Sequence, residues 1–156
     1  MAVQSSSTAR LRALDESDLA AVVAIEKESS PAPWSEGIFR DCLQAGYHCL
    51  VAVGEDDVPF GFVVLASGAG EAHLLNIALK RKRRGRGLGR HLLDAVLQYA
   101  TEQRAKAVFL EVRASNRVAL ELYDRAGFQR IGSRRNYYAC DDGRREDALV
   151  MRFTPV

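Results

Sequence analysis

The chain has 156 residues, 47% of them apolar and 27% charged, which is enough to close one hydrophobic core without disulfides or metals. With 22 Lys and Arg against 20 Asp and Glu the net charge is only +2, so the protein is no polyelectrolyte and any basic cluster is a local feature. Residues 1–10 are polar and serine-rich, and no later run reaches about eighteen consecutive apolar residues. The reading is a flexible tail over 1–10 and one cytoplasmic domain over 11–156, with no membrane partner.

A short first strand leads to Asp15, placed to cap an amphipathic helix that runs to about Glu28. Asp18 falls in its first turn, and Leu19, Val22, Val23 and Ile25 form its core face. The linker Ser29-Ser30-Pro31-Ala32-Pro33-Trp34 is stiffened by two prolines, and Ser35 caps a second short helix through Leu43. Tyr47 to Val53 and Val58 to Leu65 are β-rich runs joined as a hairpin at Gly54-Glu55-Asp56-Asp57, and Glu71 to Leu79 adds a third antiparallel strand.

After a basic glycine segment, Leu88, Leu92, Val96 and Tyr99 recur at helical spacing, and Ala107 to Val112 reads as a buried strand. Ser115 or Asn116 caps the next helix, whose apolar face is read at Val118, Ala119, Leu122 and Ala126 and which Gly127 stops. Phe128 to about Tyr138 and about Ala148 to Phe153 are final strands around the turn Asp141-Asp142-Gly143. Cys42, Cys49 and Cys140 are odd in number and lack C-x-x-C spacing, and His48, His73 and His91 form no ligand pair. Packing is the expected role of the cysteines, and no metal is expected.

The segment with the most chemistry lies between the third strand and the following helix. Gly85, Gly87 and Gly89 let the backbone approach a ligand closely and leave N–H groups at a helix N-terminus free for oxygen anions. Lys80, Arg81, Lys82, Arg83, Arg84, Arg86 and Arg90 crowd the same stretch, which suits a ligand with several negative charges. The order G-x-G-x-G after an antiparallel meander departs from the dinucleotide fingerprint, and the Gly-Lys-Ser/Thr ending of a triphosphate loop is missing. A solvated basic face or a nucleic-acid patch is the other reading of these charges. No aromatics interleave them for base stacking, so no direct nucleic-acid binding is expected.

Arg84-x-x-Gly87-x-Gly89 resembles the Gln/Arg-x-x-Gly-x-Gly/Ala pyrophosphate loop of the GNAT acetyltransferase superfamily. Leu110-Glu111-Val112-Arg113-Ala114-Ser115-Asn116 and Leu122-Tyr123-Asp124-Arg125-Ala126-Gly127-Phe128 resemble the two elements that follow it there, in order and spacing. Pro33-Trp34-Ser35-Glu36, with Arg134-Arg135-Asn136-Tyr137-Tyr138 and Glu146-Asp147-Ala148, is similar to the RimI-type branch, the N-terminal alanine acetyltransferases of a bacterial ribosomal protein. The likeness covers nearly all of the chain after residue 10. One departure is Lys80-Arg81-Lys82, where the superfamily often has an acidic residue and a proline.

The resemblance implies an α/β (α+β) GNAT fold: a mixed, mostly antiparallel sheet of about seven strands flanked by about four helices, splayed near Leu79 and Glu111. It implies acetyl-CoA as cosubstrate, held along the backbone of Ile77, Ala78 and Leu79. Its pyrophosphate would sit at Arg84, Gly85, Arg86, Gly87, Leu88, Gly89 and Arg90, with a further contact at Asn116. Glu111 takes the position of the general base and Tyr123 that of the general acid.

The reaction has use for both types, because an α-amine of pKa near ~8 must lose a proton before it attacks a thioester, and the leaving thiolate gains from a proton donor. The residues alone also allow Glu111 to pair with Arg113 or another basic side chain, and Tyr123 to be a partly buried core aromatic whose hydroxyl finds a partner. Trp34 and Tyr138 are candidates to frame a peptide entrance, or rim and core aromatics.

The implied acceptor is a ribosomal protein N-terminus, the alanine of small-subunit protein eighteen. A small amine or a lysine side chain fits the same scaffold, and a non-catalytic acyl-CoA or nucleic-acid-binding module is the alternative of another class.

Overall fold

A computed structural model describes residues 9–155. Of the tail expected over residues 1–10, residues 1–8 lie outside the described residues, and the first strand, β1, already begins at Arg10. The strands are β1 (Arg10–Ala13), β2 (His48–Val53), β3 (Pro59–Gly68), β4 (Glu71–Leu79), β5 (Ala107–Arg113), β6 (Gln129–Ala139) and β7 (Arg145–Phe153). The helices are α1 (Leu19–Ser29), α2 (Glu36–Gln44), α3 (Leu88–Glu102) and α4 (Arg117–Ala126). The strands form one sheet in the order β1-β2-β3-β4-β5-β7-β6. Every neighbouring pair is antiparallel except β4 with β5, which α3 joins as a parallel crossover.

Alternation along the strands sends side chains to two apolar layers. On one face Leu92, Leu93 and Val96 of α3 and Leu120 and Tyr123 of α4 pack on Val63, Leu65, Leu74, Val108, Leu110 and Met151. On the other, Leu19, Val22 and Ile25 of α1 and Phe39 and Cys42 of α2 pack on Cys49, Val51, Val53, Phe62 and Val64. Buried Cys42 and Cys49 act there as apolar side chains, and burial pushes both thiols up, Cys49 to about 11. The second layer draws on β2, β3 and β4, so the same face of β5 and β7 is left without helical cover.

Two expectations need correction. Asp15 caps a 3-10 turn over Glu16–Asp18 rather than the helix itself, which starts at Leu19. Asp18 closes a capping box with Asp15 and is buried against Arg12, whose guanidinium grips both of its carboxylate oxygens at 2.8 and 2.9 Å. Val118 is 81% exposed, not on the core face. At 100° per residue it lies about 200° from Leu120 and about 140° from Tyr123, the two residues that α4 buries most deeply.

A β-bulge at the centre of the sheet was not anticipated. Leu65 pairs with Leu74 but Val64 pairs with Asn76, which leaves Leu75 as the extra residue of β4. The bulge reverses the alternation: Leu74 belongs to the α3 layer, and after it Ile77 and Leu79 rejoin that layer while Ala78 faces α1.

Candidate active site

The glycine segment leaves β4 through a 3-10 turn, Arg81–Arg83, and enters α3 at Gly87. Gly85 and Gly87 have φ of 79° and 78°, a left-handed backbone that residues with a Cβ adopt only with strain. Gly87 is the N-cap but offers no capping side chain, and the first α3 amide to bond back is His91, to the Gly87 carbonyl at 3.1 Å. The N–H groups of Leu88, Gly89 and Arg90 therefore point out of the first turn with the positive end of the helix dipole behind them. No Cβ-sized obstacle lies within 4 Å of Gly85 or Gly87.

The basic side chains divide by role. Arg84 is turned inward: its Nε donates to the Leu79 carbonyl at 3.2 Å and its Nη2 to Ser29 Oγ at 3.0 Å, which ties the loop to the ends of β4 and α1. Arg83 stacks over Phe60 at 4.3 Å, and Arg90 pairs with Asp94 at 2.8 Å. Arg81 Nη2 reaches the Glu28 carbonyl, and of the seven basic residues only Arg90 forms an ion pair among the described residues. The other six therefore keep their positive charge at the loop, with Lys80, Lys82 and Arg86 the least held by neighbours. Leu88 is buried by its side chain and offers a ligand its backbone alone. These donors and charges fit a pyrophosphate.

Beside this loop the sheet opens. β4 and β5 are paired from Glu71 with Ala107 to Leu74 with Leu110. Beyond that, Asn76 to Leu79 stay with β3 and Glu111 to Arg113 stay with β7, so the two strands diverge into a wedge. The bulge at Leu75 lies where the divergence begins. Ile77, Ala78 and Leu79 line the β4 wall with main-chain groups that no β5 partner takes up, a bed for an extended ligand entering from the loop.

Glu111, on the β5 wall of this wedge, and Tyr123 stand on opposite faces of the sheet. Leu110 and Val112 turn into the α3 and α4 layer with Tyr123, so Glu111 between them faces the other way. Glu111 is partly buried, at 28% side-chain exposure, and both of its oxygens are engaged from β6. Oε1 accepts from the Tyr137 hydroxyl at 3.1 Å, and Oε2 pairs with Arg134 Nε. Arg113 does not take Glu111. It pairs with Glu146 at 3.1 Å and lies over the Tyr138 ring at 4.6 Å.

The β6 contacts come from a second irregularity in the sheet. Arg134 pairs with Ala148 but Tyr138 with Glu146, so β6 carries two more residues than β7 across this interval. Asn136 accommodates the excess with φ of 51°, and its N–H donates to Asp147 Oδ1 at 2.9 Å. Arg145 clamps the bulge by donating at 2.8 Å to each of the carbonyls of Asn136 and Tyr137. Held this way, Tyr137 turns back over the sheet onto Glu111.

Tyr123 is buried and its hydroxyl makes no hydrogen bond among the described residues. Desolvation first, then the nearby Tyr138, hold the phenol well above its usual range, so it stays protonated. Asn116 caps α4 by accepting from the Ala119 N–H at 3.2 Å, which leaves its side-chain NH2 as the group available to a ligand. Tyr138 is partly buried beside Glu111, and burial pushes it up to about 12.

Trp34 lies on Phe39 edge to face at 5.2 Å, so its ring belongs in part to the α1 and α2 layer, and its backbone N–H donates to buried Glu26 Oε2 at 3.0 Å. No aromatic contact joins Trp34 to Tyr138. The sequence allows Glu111 a basic partner other than Arg113, but it identifies neither Arg134 as that residue nor Tyr137 as the second partner. The signal was the stretch Arg134-Arg135-Asn136-Tyr137-Tyr138, whose Asn marks a left-handed turn inside a strand.

A glycine loop with unpaired amides at a helix N-terminus, beside a wedge between parallel strands and with a carboxylate on one face of the sheet and a phenol on the other, is an arrangement that an acyl-CoA-dependent transferase would use. The chain belongs to the acetyltransferase (GNAT) family, whose model matches residues 19–128. More particularly, it is 35% identical over 141 residues to the ribosomal protein bS18-alanine N-acetyltransferase of Escherichia coli K12, covering 90% of this chain and 94% of that one. The same enzyme of Haemophilus ducreyi is 33% identical over 136 residues, 87% of this chain and 93% of its own. The crystal structure of the ribosomal-protein-S18-alanine N-acetyltransferase from Escherichia coli superposes with a TM-score of 0.86 at 34% identity, over 94% of this chain and 93% of that one.

Proposed function

We propose that the protein transfers an acetyl group from acetyl-CoA to the α-amine of a protein N-terminus, and that its acceptor is the N-terminal alanine of ribosomal protein bS18. The observation that carries this reading is the carboxylate of Glu111 where β5 leaves β4, with the phenol of Tyr123 on the opposite face of the sheet. Relatives that cover nine-tenths of the chain at about one-third identity support the acceptor.

Acetyl-CoA supplies an activated thioester. The amides of residues 85–90 and the free charge of Lys80, Lys82 and Arg86 hold its phosphates, and the exposed edge of Ile77–Leu79 aligns its extended arm. Edge amides in that stretch are the available hydrogen-bond donors to a thioester carbonyl. Glu111 takes the proton of the acceptor ammonium, directly or through water, and Tyr123 gives its proton to the departing thiolate. Tyr137 keeps the Glu111 carboxylate oriented while it acts.

Thiol release from acetyl-CoA, measured with peptides beginning Ala, Ser or Met and with spermidine, tests the proposal. Turnover that favours a bS18-like alanine peptide supports it. Turnover of spermidine alone overturns it in favour of a small-amine enzyme.

A further inference from the structure

Each oxygen of Glu111 already has a partner before any acceptor arrives, and the two partners differ in kind. Tyr137 is neutral, and its backbone is pinned by the clamped bulge through Arg145 and Asp147. Arg134 is a cation, 58% exposed, with its guanidinium 5.5 Å from the Tyr137 ring. An acceptor amine reaches the site at neutral pH as an ammonium ion, because its pKa lies near ~8. Ammonium and guanidinium therefore compete for one carboxylate oxygen.

We infer that Arg134 is a displaceable counter-ion of Glu111: it holds Oε2 in the resting enzyme and yields that oxygen to the acceptor's ammonium, while Tyr137 retains Oε1. The inference rests on the proposed role of Glu111 as base. An exposed ion pair is weak, so exchange for an incoming cation is easy, whereas a hydrogen bond from a pinned strand keeps the carboxylate from rotating. Arg134 is then a positioning residue that acts through Glu111. The exchange also separates substrate from product. An acetylated N-terminus carries no cation, cannot replace Arg134, and leaves the pair free to re-form.

The test follows the Nε–H signal of Arg134 by NMR in the full-length protein, with Kd values for a free-amine alanine peptide and for its α-N-acetylated form. Without acceptor, Glu111→Gln must shift the Arg134 signal; no shift overturns the inference whatever the acceptor proves to be. The free-amine peptide must move the signal as Glu111→Gln does and the acetylated peptide must not. Equal responses overturn the inference.

Arg134→Gln should tighten the free-amine peptide by on the order of two- to fivefold, leave the acetylated peptide unchanged, and be reversed by Arg134→Lys. Weaker or unaltered free-amine binding in Arg134→Gln overturns the role. If the enzyme acetylates spermidine but no peptide, the α-amine reading fails, and the binding arms are run with spermidine and its N-acetyl form.

Discussion

Tyr137 donates to Glu111 across 3.1 Å although a complete strand lies between their own, because β7 separates β5 from β6 in the sheet. The phenol spans that gap only because the bulge at Asn136 turns its backbone over the sheet face.

Replacing Tyr137 with Phe removes one hydrogen bond to a charged group and leaves the packing intact. The expected loss in kcat/KM is about tenfold, from roughly 1.5 kcal/mol for such a bond. Thermal stability should stay within about 0.5 kcal/mol, since the side chain is 43% exposed. Steady-state kinetics beside a melting curve checks both, and an undiminished kcat/KM would remove the orienting role.

Glu111→Gln keeps the shape of the site and loses the proton acceptor. Turnover should fall by about 10²- to 10⁴-fold while the Kd for acetyl-CoA, read by calorimetry, stays unchanged. A comparable loss of acetyl-CoA affinity would reassign Glu111 to cofactor binding.

Gly87→Ala places a Cβ at φ of 78°, at the N-cap of the cofactor helix. Nothing lies within 4 Å of that Cβ, so the cost is conformational, about 1–2 kcal/mol, and appears as a lower Tm with weaker acetyl-CoA binding. Unchanged affinity for acetyl-CoA would show that this amide turn does not hold the ligand.

Arg12→Ala strips the buried Asp18 of its bidentate partner. The remaining contact is the Asp15 N–H at 2.8 Å, so the loss is about 3 kcal/mol, or about 5–10 °C in Tm. The Arg12 hydrogen bonds hold the Asp18 carboxyl below its ordinary range. The stability this contributes is present above about pH 4 and lost as pH falls through the lower folded value. Acid titration of the unfolding free energy should therefore be shallower in Arg12→Ala than in the parent.

Alkaline pH should destabilise the fold through the tyrosines. Burial, the leading cause at both residues, raises Tyr123 and brings Tyr138 up to about 12, so above about pH 10 the unfolded chain releases protons that the folded one retains. Stability falls as pH rises through that window, by about 1.4 kcal/mol per pH unit for each such phenol. Tyr138→Phe should flatten the decline when denaturant midpoints are compared at pH 9 and 11.

The backbone form of the proposed cofactor loop was legible because the loop is contiguous. Arg84 to Arg90 act through backbone conformation and amides, and a glycine's permitted φ is written in the residue itself. Strand and helix periods were equally readable, and they placed β4 at Glu71–Leu79 with both ends correct. Val118 misled because a β-branched apolar residue in the first turn satisfies the helical pattern whichever face the sheet selects.

Residue pattern determined an α/β chain with a basic glycine loop opening a helix, and the family resemblance added Glu111 and Tyr123 as candidates. Tertiary structure decided which groups meet: the register break at Leu75 where the wedge opens, the excess residues of β6, and the engagement of Glu111 by Arg134 and Tyr137. These depend on sheet order and on pairing between distant segments, and a one-residue shift of register exchanges the faces of a strand. Local preference carries no information about such shifts.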